Sequence, residues 1–136
     1  MIELTRRYRF SASHRLHTPV LTEAENREVY GKCNHPYGHG HDYILEVRLR
    51  GKPDPQTGVL LPVAKLDQLV RQAVLDDYDH KFLNEEVATF RTTPPTTENL
   101  AADIYRRLRQ QWPFGENPSF SGVRIFETRR NVVELQ

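Results

Sequence analysis

Two stretches of the chain alternate between apolar and polar residues, a pattern typical of β-strands with one buried face. They run from residue 2 to residue 16 and from residue 41 to residue 50. The apolar parity contains Ile2, Leu4, Tyr8, Phe10, Ala12, His14 and Leu16 in the first stretch, and His41, Tyr43, Leu45, Val47 and Leu49 in the second. The alternation predicts two half-buried antiparallel strands.

Two later stretches repeat their apolar residues every three or four positions, which predicts amphipathic helices. The first helix starts at Pro62, a residue that suits a first helical turn, and ends near Asp77. The second begins behind a threonine N-cap within Thr96–Thr97 and ends before Pro113.

Hairpins are predicted on both sides of the helices. The turn formers of Gly51–Gly58 close a hairpin into a short strand, Val59–Leu61, and residues 121–126 and 132–135 form a second hairpin at the end of the chain. These elements together predict an α+β fold, in which an antiparallel sheet carries both helices on one face.

Two polar stretches have no clear period. Thr18–Lys32 is interpreted as a long loop or irregular insertion, and long loops in compact domains are more often functional than idle. Asp79–Asn84 is interpreted as a connection between the helices.

Length and charge narrow the class of protein. The 136 residues fit one domain, residues 1–136. Lys and Arg number 19 against 18 Asp and Glu, so no excess charge points to a nucleic-acid or membrane partner. One cysteine makes no internal disulfide, and no signal peptide or membrane span is recognisable. A soluble, cytoplasmic protein is expected.

Three histidines form a candidate metal site. His39 and His41 are two residues apart at the head of a strand, so both imidazoles project from one face, and His14 has the core-facing parity of the first strand. Three protein ligands leave one position of a tetrahedral zinc open, as in catalytic sites. The alternative is a core histidine beside a Gly-His-Gly-His turn, while His17 and His35 are interpreted as bystanders.

The single cysteine and the charged residues allow two interpretations each. Cys33 is by default a small buried hydrophobe, but cations near it favour a thiolate. Glu127 is a carboxylate with the apolar parity of its strand. Six arginines are expected on solvated faces, with phosphate binding as the less favoured alternative: Arg6, Arg7 and Arg9, and Arg106, Arg107 and Arg109.

Taken together, these features resemble the 6-pyruvoyltetrahydropterin synthase family of the T-fold group over nearly the whole chain. The segments that carry the resemblance are Phe10-Ser-Ala-Ser-His-Arg-Leu-His17, Gly31-Lys-Cys-Asn34, Gly38-His-Gly-His41, Asp54-Pro-Gln-Thr-Gly58, Asp79-His-Lys81, Thr96-Thr-Glu-Asn99 and Glu127-Thr128.

The resemblance implies a zinc enzyme that acts on 7,8-dihydroneopterin triphosphate. The implied site consists of the zinc ligands His14, His39 and His41, the catalytic residues Cys33, Asp79 and His80, and the pterin-binding residues Glu127, Thr96 and Thr97. It also implies four-stranded sheets that join into a barrel in a trimer, two trimers stacked as a hexamer, and active sites at subunit interfaces.

Family members differ in product, and the cysteine spacing favours one branch. Relatives that form 6-carboxytetrahydropterin for 7-deazapurine synthesis carry the cysteine four residues before the first histidine of His-Gly-His, where this chain has His35. Cys33 lies six residues before His39, as in the pyruvoyl-forming branch. A third branch carries glutamate where this chain has Pro36.

Two further alternatives stay open. His39, His41 and Glu46 resemble a cupin metal motif. Cupins are nearly all-β, so the two predicted helices argue against that fold, and Glu46 has the opposite strand parity to His41. A non-catalytic T-fold protein that binds a pterin or purine is the other, and the presence of Cys33 and Asp79–His80 counts against it.

Overall fold

A computed structural model describes residues 1–136 and contains one five-stranded sheet in the order β3-β1-β2-β4-β5. The strands are β1 (Ile2–His14), β2 (His39–Gly51), β3 (Lys81–Phe82), β4 (Ser119–Phe126) and β5 (Val132–Leu135). Four strands are antiparallel, which confirms the predicted sheet. The short β3 adds a parallel edge beside β1, within the stretch predicted as a connection.

Five helices accompany the sheet: α1 (Glu23–Tyr30), α2 (Val63–Val70), α3 (Asp76–Tyr78), α4 (Leu83–Glu86) and α5 (Thr97–Gln111). A π-helical turn, Arg71–Leu75, joins α2 to α3 and makes them one nearly continuous segment, as predicted. The N-cap of α5 is Thr96, whose hydroxyl accepts from the backbone N–H of Asn99 at 3.1 Å. The predicted helices are therefore present.

The hydrophobic core lies between the apolar face of the sheet and the α2–α3 and α5 segments. Its sheet side includes Tyr43, Leu45, Val47 and Leu49, the apolar parity of β2, each fully buried. Because β2 is central, with β1 on one side and β4 on the other, its inward side chains form the middle of the core.

The prediction of a loop over Thr18–Lys32 is wrong, because α1 occupies most of it. Thr22 and Glu25 form a capping box: the Thr22 hydroxyl accepts from Glu25 N at 3.1 Å, and the Glu25 carboxylate accepts from Thr22 N at 2.9 Å. Such a box satisfies two backbone donors at a helix start and was readable in the sequence as Thr-x-x-Glu. The weak apolar stripe of α1 concealed the helix.

The predicted strand Val59–Leu61 is also wrong. Leu60 and Leu61 are buried, but they belong to an irregular segment that fills the core. Both sides of β2 are already paired, with β1 and β4, so no edge beside it remains for this segment to occupy. The turn itself is present, with Gly58 donating to the Asp54 carbonyl at 2.7 Å.

The polar face of the sheet is less exposed than the alternation predicted. Glu46 is 3% exposed and accepts from Arg7 at 2.6 Å and from Arg124 at 3.3 Å, across both neighbouring strands. Long arginine side chains cover the centre of this face, because their methylene stems shield the strand beneath them. Glu46 thus points away from the histidines, which removes the cupin alternative.

Several arginines expected on solvated faces are instead held in ion pairs. Arg6 donates to both carboxylate oxygens of Asp67, at 2.6 and 2.9 Å, and Arg107 donates to Asp103 at 2.9 Å and to Asp77 at 2.5 Å. These pairs join β1 to α2 and α5 to α3. No helix of the structure has the length and apolar character that crossing a bilayer requires.

Candidate metal centre and its surroundings

The antiparallel pairing of β1 and β2 brings three histidines to one end of the sheet. His14 and His39 are direct cross-strand partners, and Ala12 pairs with His41. The ring centroid of His14 lies 5.3 Å from the ring centroid of His39 and 4.9 Å from that of His41. Residues far apart in the sequence thus face each other because the two strands share one register.

Cys33 reaches the same point from a 3-10 turn, Gly31–Asn34, that follows α1 directly. Gly31 begins this turn at φ 57°, a left-handed conformation that favours glycine. The turn is tied to the end of β1 by a hydrogen bond from Leu16 N to the Cys33 carbonyl, at 2.7 Å. The Cys33 thiol then lies 3.1 Å from Nε2 of His39.

The four side chains form a tight donor set. The candidate ligand atoms of His14, Cys33, His39 and His41 all lie within 4.8 Å of one another. His14 Nδ1 faces the Pro95 carbonyl at 3.0 Å, which assigns the proton to Nδ1 and leaves the lone pair on Nε2. That Nε2 is buried and has no hydrogen-bond partner in the chain. An orphaned imidazole nitrogen among thiol and imidazole donors fits a zinc ion.

Burial keeps the imidazoles of His14 and His41 neutral. Desolvation is the main cause that lowers the pKa of His14 to about 4, although its hydrogen bond to Pro95 opposes the shift. Desolvation likewise lowers the pKa of His41. A neutral imidazole has the free lone pair that a metal ligand needs.

The expectation that cations lower the pKa of Cys33 is wrong for this chain. Burial, and after it the negative charge of Glu127, raise the pKa of the thiol. The side chain of Lys32 is exposed and does not offset these two effects.

Glu127 and the threonines of α5 share a cavity with the thiol. The cavity has a volume of about 510 Å³, and its wall includes Cys33, Thr96, Thr97, Glu127 and Arg130. The Thr97 hydroxyl donates to Glu127 at 2.6 Å and fixes one carboxylate oxygen. Because a carboxylate has about four lone-pair sites, Glu127 can still accept further hydrogen bonds from a ligand in the cavity. Glu127 therefore lies beside the candidate metal centre, as its apolar strand parity predicted.

Asp79 and His80 are not brought into that cavity. They lie at the turn before β3, where Asp79 accepts from Ser11 N at 2.9 Å and His80 N donates to the Ser11 carbonyl at 2.6 Å. The His80 side chain is 82% exposed, and its Nε2 is 3.7 Å from the Asp79 carboxylate, too far for a hydrogen bond. His80 also has a left-handed backbone, at φ 61°.

His80 lines a different groove, together with Ser11, Ser13 and Asp42. Ser11, Ser13 and Asp42 alternate along β1 and β2 with the buried histidines, so they belong to the polar face of the sheet, and His41 also lines this groove. Within one chain, the predicted catalytic residues are therefore divided between two surfaces.

The histidines interpreted as bystanders lie outside the donor set. His17 Nδ1 contacts Asn34 at 3.1 Å, and His35 Nδ1 accepts from Tyr37 N at 3.3 Å. Both line a further cavity of about 670 Å³ that reaches the metal centre at His39 and that the sequence did not predict. Arg27, which lines this cavity, lies on α1. Recognition of the Thr22 capping box in the sequence would therefore have predicted that Arg27 is helical.

Comparison with known proteins agrees with this geometry. Residues 3–136 match the family model described as 6-pyruvoyl tetrahydropterin synthase. The chain is 45% identical over 133 residues to the 6-pyruvoyl tetrahydrobiopterin synthase of Drosophila melanogaster, covering 98% of this chain and 78% of that protein. The structure is similar to the 6-pyruvoyl tetrahydropterin synthase of Caenorhabditis elegans, with a TM-score of 0.90 and 38% identity over 99% of this chain and 94% of that one.

Similarity to the other product branch is lower. The chain is 23% identical over 150 residues to the 6-carboxy-5,6,7,8-tetrahydropterin synthase of Rickettsia conorii, covering 99% of this chain and all of that protein.

Proposed function

Because this chain belongs to the 6-pyruvoyl tetrahydropterin synthase family, we propose that it converts 7,8-dihydroneopterin triphosphate to 6-pyruvoyltetrahydropterin and eliminates triphosphate. In this proposal it is a carbon–oxygen lyase. The observation that carries the proposal is the contact of Cys33 with the histidine cluster and with the Glu127 cavity, since one group touches both halves of the implied site.

The pterin ring binds in the Glu127 cavity. A carboxylate accepts two hydrogen bonds from the ring N–H and the adjacent amino group, which fixes the orientation of the ring. The hydrogen bond from Thr97 holds Glu127 in place for that contact, and Thr96 and Thr97 complete the wall.

His14, His39 and His41 would hold the zinc ion. When bound, zinc supplies Lewis-acid chemistry that acidifies the C–H bonds beside the side-chain oxygens of the substrate. The hydrogen bond from His14 Nδ1 to Pro95 orients this ligand.

Cys33 takes the proton from the side-chain carbon. Its thiolate is the competent form, and a cationic centre beside it counteracts the burial that raises its pKa in this chain. The reaction is an elimination with internal redox shifts, so no external redox cofactor is needed. The position of Cys33, 3.1 Å from His39, puts the base next to the site of activation.

Asp79 and His80 form the second proton-transfer pair, supplied by another copy of the chain. His80 is exposed and strained while the Asp79 carboxylate is held by Ser11, so the pair is presented outwards rather than to its own centre. Strain at an exposed residue is frequent at functional sites. A subunit interface would bring His80 to a neighbour's Cys33.

The edges of the sheet support such an assembly. β3 covers only Ala12 and Ser13 of the 13-residue β1, and β5 has no partner on its outer side. Long open edges pair with other chains unless they are protected. We therefore include in the proposal a trimeric barrel and a hexamer of two stacked trimers.

The direct test is to incubate the zinc-loaded protein with 7,8-dihydroneopterin triphosphate and identify the products by mass. We expect the pyruvoyl compound and free triphosphate, and no product from Cys33→Ala. Tyr37→Ala is the matched control, because Tyr37 lies near the centre but is 91% exposed and lines neither cavity, and its product should be unchanged. Absence of any turnover by the zinc-loaded wild type would instead support a non-catalytic pterin-binding protein.

The alternative product is 6-carboxytetrahydropterin, the intermediate of 7-deazapurine synthesis. The observation that favours it is the detectable similarity to a 6-carboxy enzyme over the whole chain. The same incubation separates the two, since that branch releases acetaldehyde. The six-residue spacing from Cys33 to His39 and the higher identity to the pyruvoyl enzymes support the first product.

A further inference from the structure

A basic cleft adjoins the metal centre separately from the Glu127 cavity. It is the cavity of about 670 Å³ that reaches His39, and we define it by Arg15, Arg27 and Lys32. Glu23 is the one acidic residue on its wall. Three full positive charges therefore face one carboxylate, which favours a bound anion.

The cations of the basic cleft have no carboxylate partner. None of the three lies within 4.0 Å of an Asp or Glu oxygen, although the chain pairs six other arginines in this way. Those six arginines are neutralised across strands and helices, whereas others, such as Arg109, are exposed and unpaired; the cleft differs from these because three cations line one concave surface. The cleft is thus a place where positive charge is concentrated and left available.

Each cation is placed by a segment that also places a residue of the metal centre. Arg15 follows His14, and its backbone N–H and carbonyl bind the Asn84 side chain at 2.8 and 2.7 Å. Lys32 precedes Cys33 in the 3-10 turn, and Arg27 lies in the helix that leads into that turn. The cleft and the centre therefore keep a fixed relative position.

The order of the sites matches the order of groups in the proposed substrate. That molecule has a pterin ring at one end, two side-chain hydroxyls in the middle and a triphosphate at the other end. Cys33 lines the Glu127 cavity, His39 lines the basic cleft, and the two side chains are 3.1 Å apart. If the pterin ring binds at Glu127 and the side-chain hydroxyls lie at the histidines, the triphosphate extends towards the basic cleft.

We infer that the basic cleft of Arg15, Arg27 and Lys32 binds the triphosphate of the substrate and stabilises it as the leaving group. This inference rests on the proposed function. In the elimination, the bond between the terminal side-chain carbon and the phosphate-ester oxygen breaks, its electron pair leaves with that oxygen, and the proton from the neighbouring carbon goes to Cys33. Arginine and lysine suit the departing oxyanions, because charge-assisted hydrogen bonds strengthen as negative charge develops.

Inorganic triphosphate, the released product, is the probe that tests the cleft without turnover. Its affinity for the zinc-loaded protein would be measured by titration calorimetry for the wild type, Arg27→Gln, Lys32→Gln and the double variant. We expect each substitution to weaken binding by about tenfold, since a hydrogen bond to a charged group is typically of that strength. Arg109→Gln is the matched control, an exposed helical arginine with no ion pair and outside the cleft.

The outcomes for the cleft and for the proposed function are separable. Equal triphosphate affinity in all five proteins would overturn the inference, as would wild-type turnover with an unchanged KM in the double variant, while the proposed function would stand. Weakened triphosphate binding in the cleft variants of a protein without turnover would support the anion site and count against the function. The unphosphorylated 7,8-dihydroneopterin should bind equally to the wild type and to the double variant.

Discussion

His14 shows how one buried atom can indicate a ligand. Its Nδ1 is committed to Pro95, its Nε2 is buried without a partner, and the surrounding imidazole and thiol groups supply soft donors. A buried polar atom left without a partner costs about 1–3 kcal/mol, so a fold that retains one usually uses it.

The metal content of single variants tests this assignment. We expect His14→Ala to lose bound zinc, because a three-histidine site cannot hold the ion well with two, and to lose turnover with it. His35→Ala should retain zinc at the wild-type level. The measurement is zinc per chain by mass spectrometry after dialysis. Full zinc occupancy in His14→Ala would show that the ion, if bound, does not need this residue.

Among the elements, α5 depends on a buried carboxylate for its contact with α3. Asp103 is 5% exposed, accepts a short hydrogen bond from the Tyr78 hydroxyl, and pairs with Arg106 at 2.6 Å and Arg107 at 2.9 Å. Desolvation alone would raise the pKa of Asp103, but the Tyr78 and Arg106 hydrogen bonds and the Arg107 charge outweigh it, so the pKa is lowered from the usual 3.8.

This lowered pKa predicts part of the acid sensitivity of the fold. Because the folded pKa of Asp103 lies below the unfolded pKa, its stabilising contribution is complete above about pH 4 and disappears as the pH falls through the folded value. Asp103→Asn should lower the free energy of unfolding at pH 7 by about 2 kcal/mol, an order-of-magnitude figure for a charged hydrogen bond.

Urea unfolding between pH 7 and pH 3 measures both effects. The stability of Asp103→Asn should fall less steeply below pH 4 than that of the wild type. Asp76→Asn, an exposed aspartate near the same contact and without an ion pair, should follow the wild-type curve. If the free energy of unfolding of Asp103→Asn falls as steeply below pH 4 as that of the wild type, the role assigned to Asp103 is contradicted.

The complete protein is expected to be an assembly, because the chain divides its proposed catalytic residues between two cavities. Cys33 and Glu127 share one cavity, while His80 lines a different groove with Ser11, Ser13 and Asp42. If the active site needs two copies, Cys33→Ala and His80→Ala should each be inactive, with the zinc content retained in His80→Ala.

Mixed assemblies of these two variants test the division. Random reassociation gives some sites an intact Cys33 from one copy and an intact His80 from its neighbour, about a quarter of all sites in a closed symmetric ring. Recovery of about that share of activity is expected after joint refolding, with native mass spectrometry to report six chains of 15.9 kDa. No recovery in mixed hexamers would place both residues in one subunit's site.

Elements whose residue pattern is local could be predicted from the amino-acid sequence alone. The alternation of apolar and polar residues gave the parity of β1, β2 and β4 and so predicted that His14, His39, His41 and Glu127 lie on the apolar side. Apolar residues spaced three or four positions apart located α2 and α5. These predictions succeeded because strand parity and helix period depend on the chain only over a few residues. The missed α1 also had a local signal, its capping box.

Contacts between these elements, in contrast, follow from the three-dimensional fold. The register of β1 with β2 makes His14 and His39 cross-strand partners. Because β1 and β4 occupy both sides of β2, Val59–Leu61 cannot pair with it. His80 and Cys33 line different cavities. Burial likewise reversed the expected direction of the Cys33 pKa. Sheet pairing, desolvation and the concentration of charge in the basic cleft depend on residues distant in the sequence, and no local pattern encodes them.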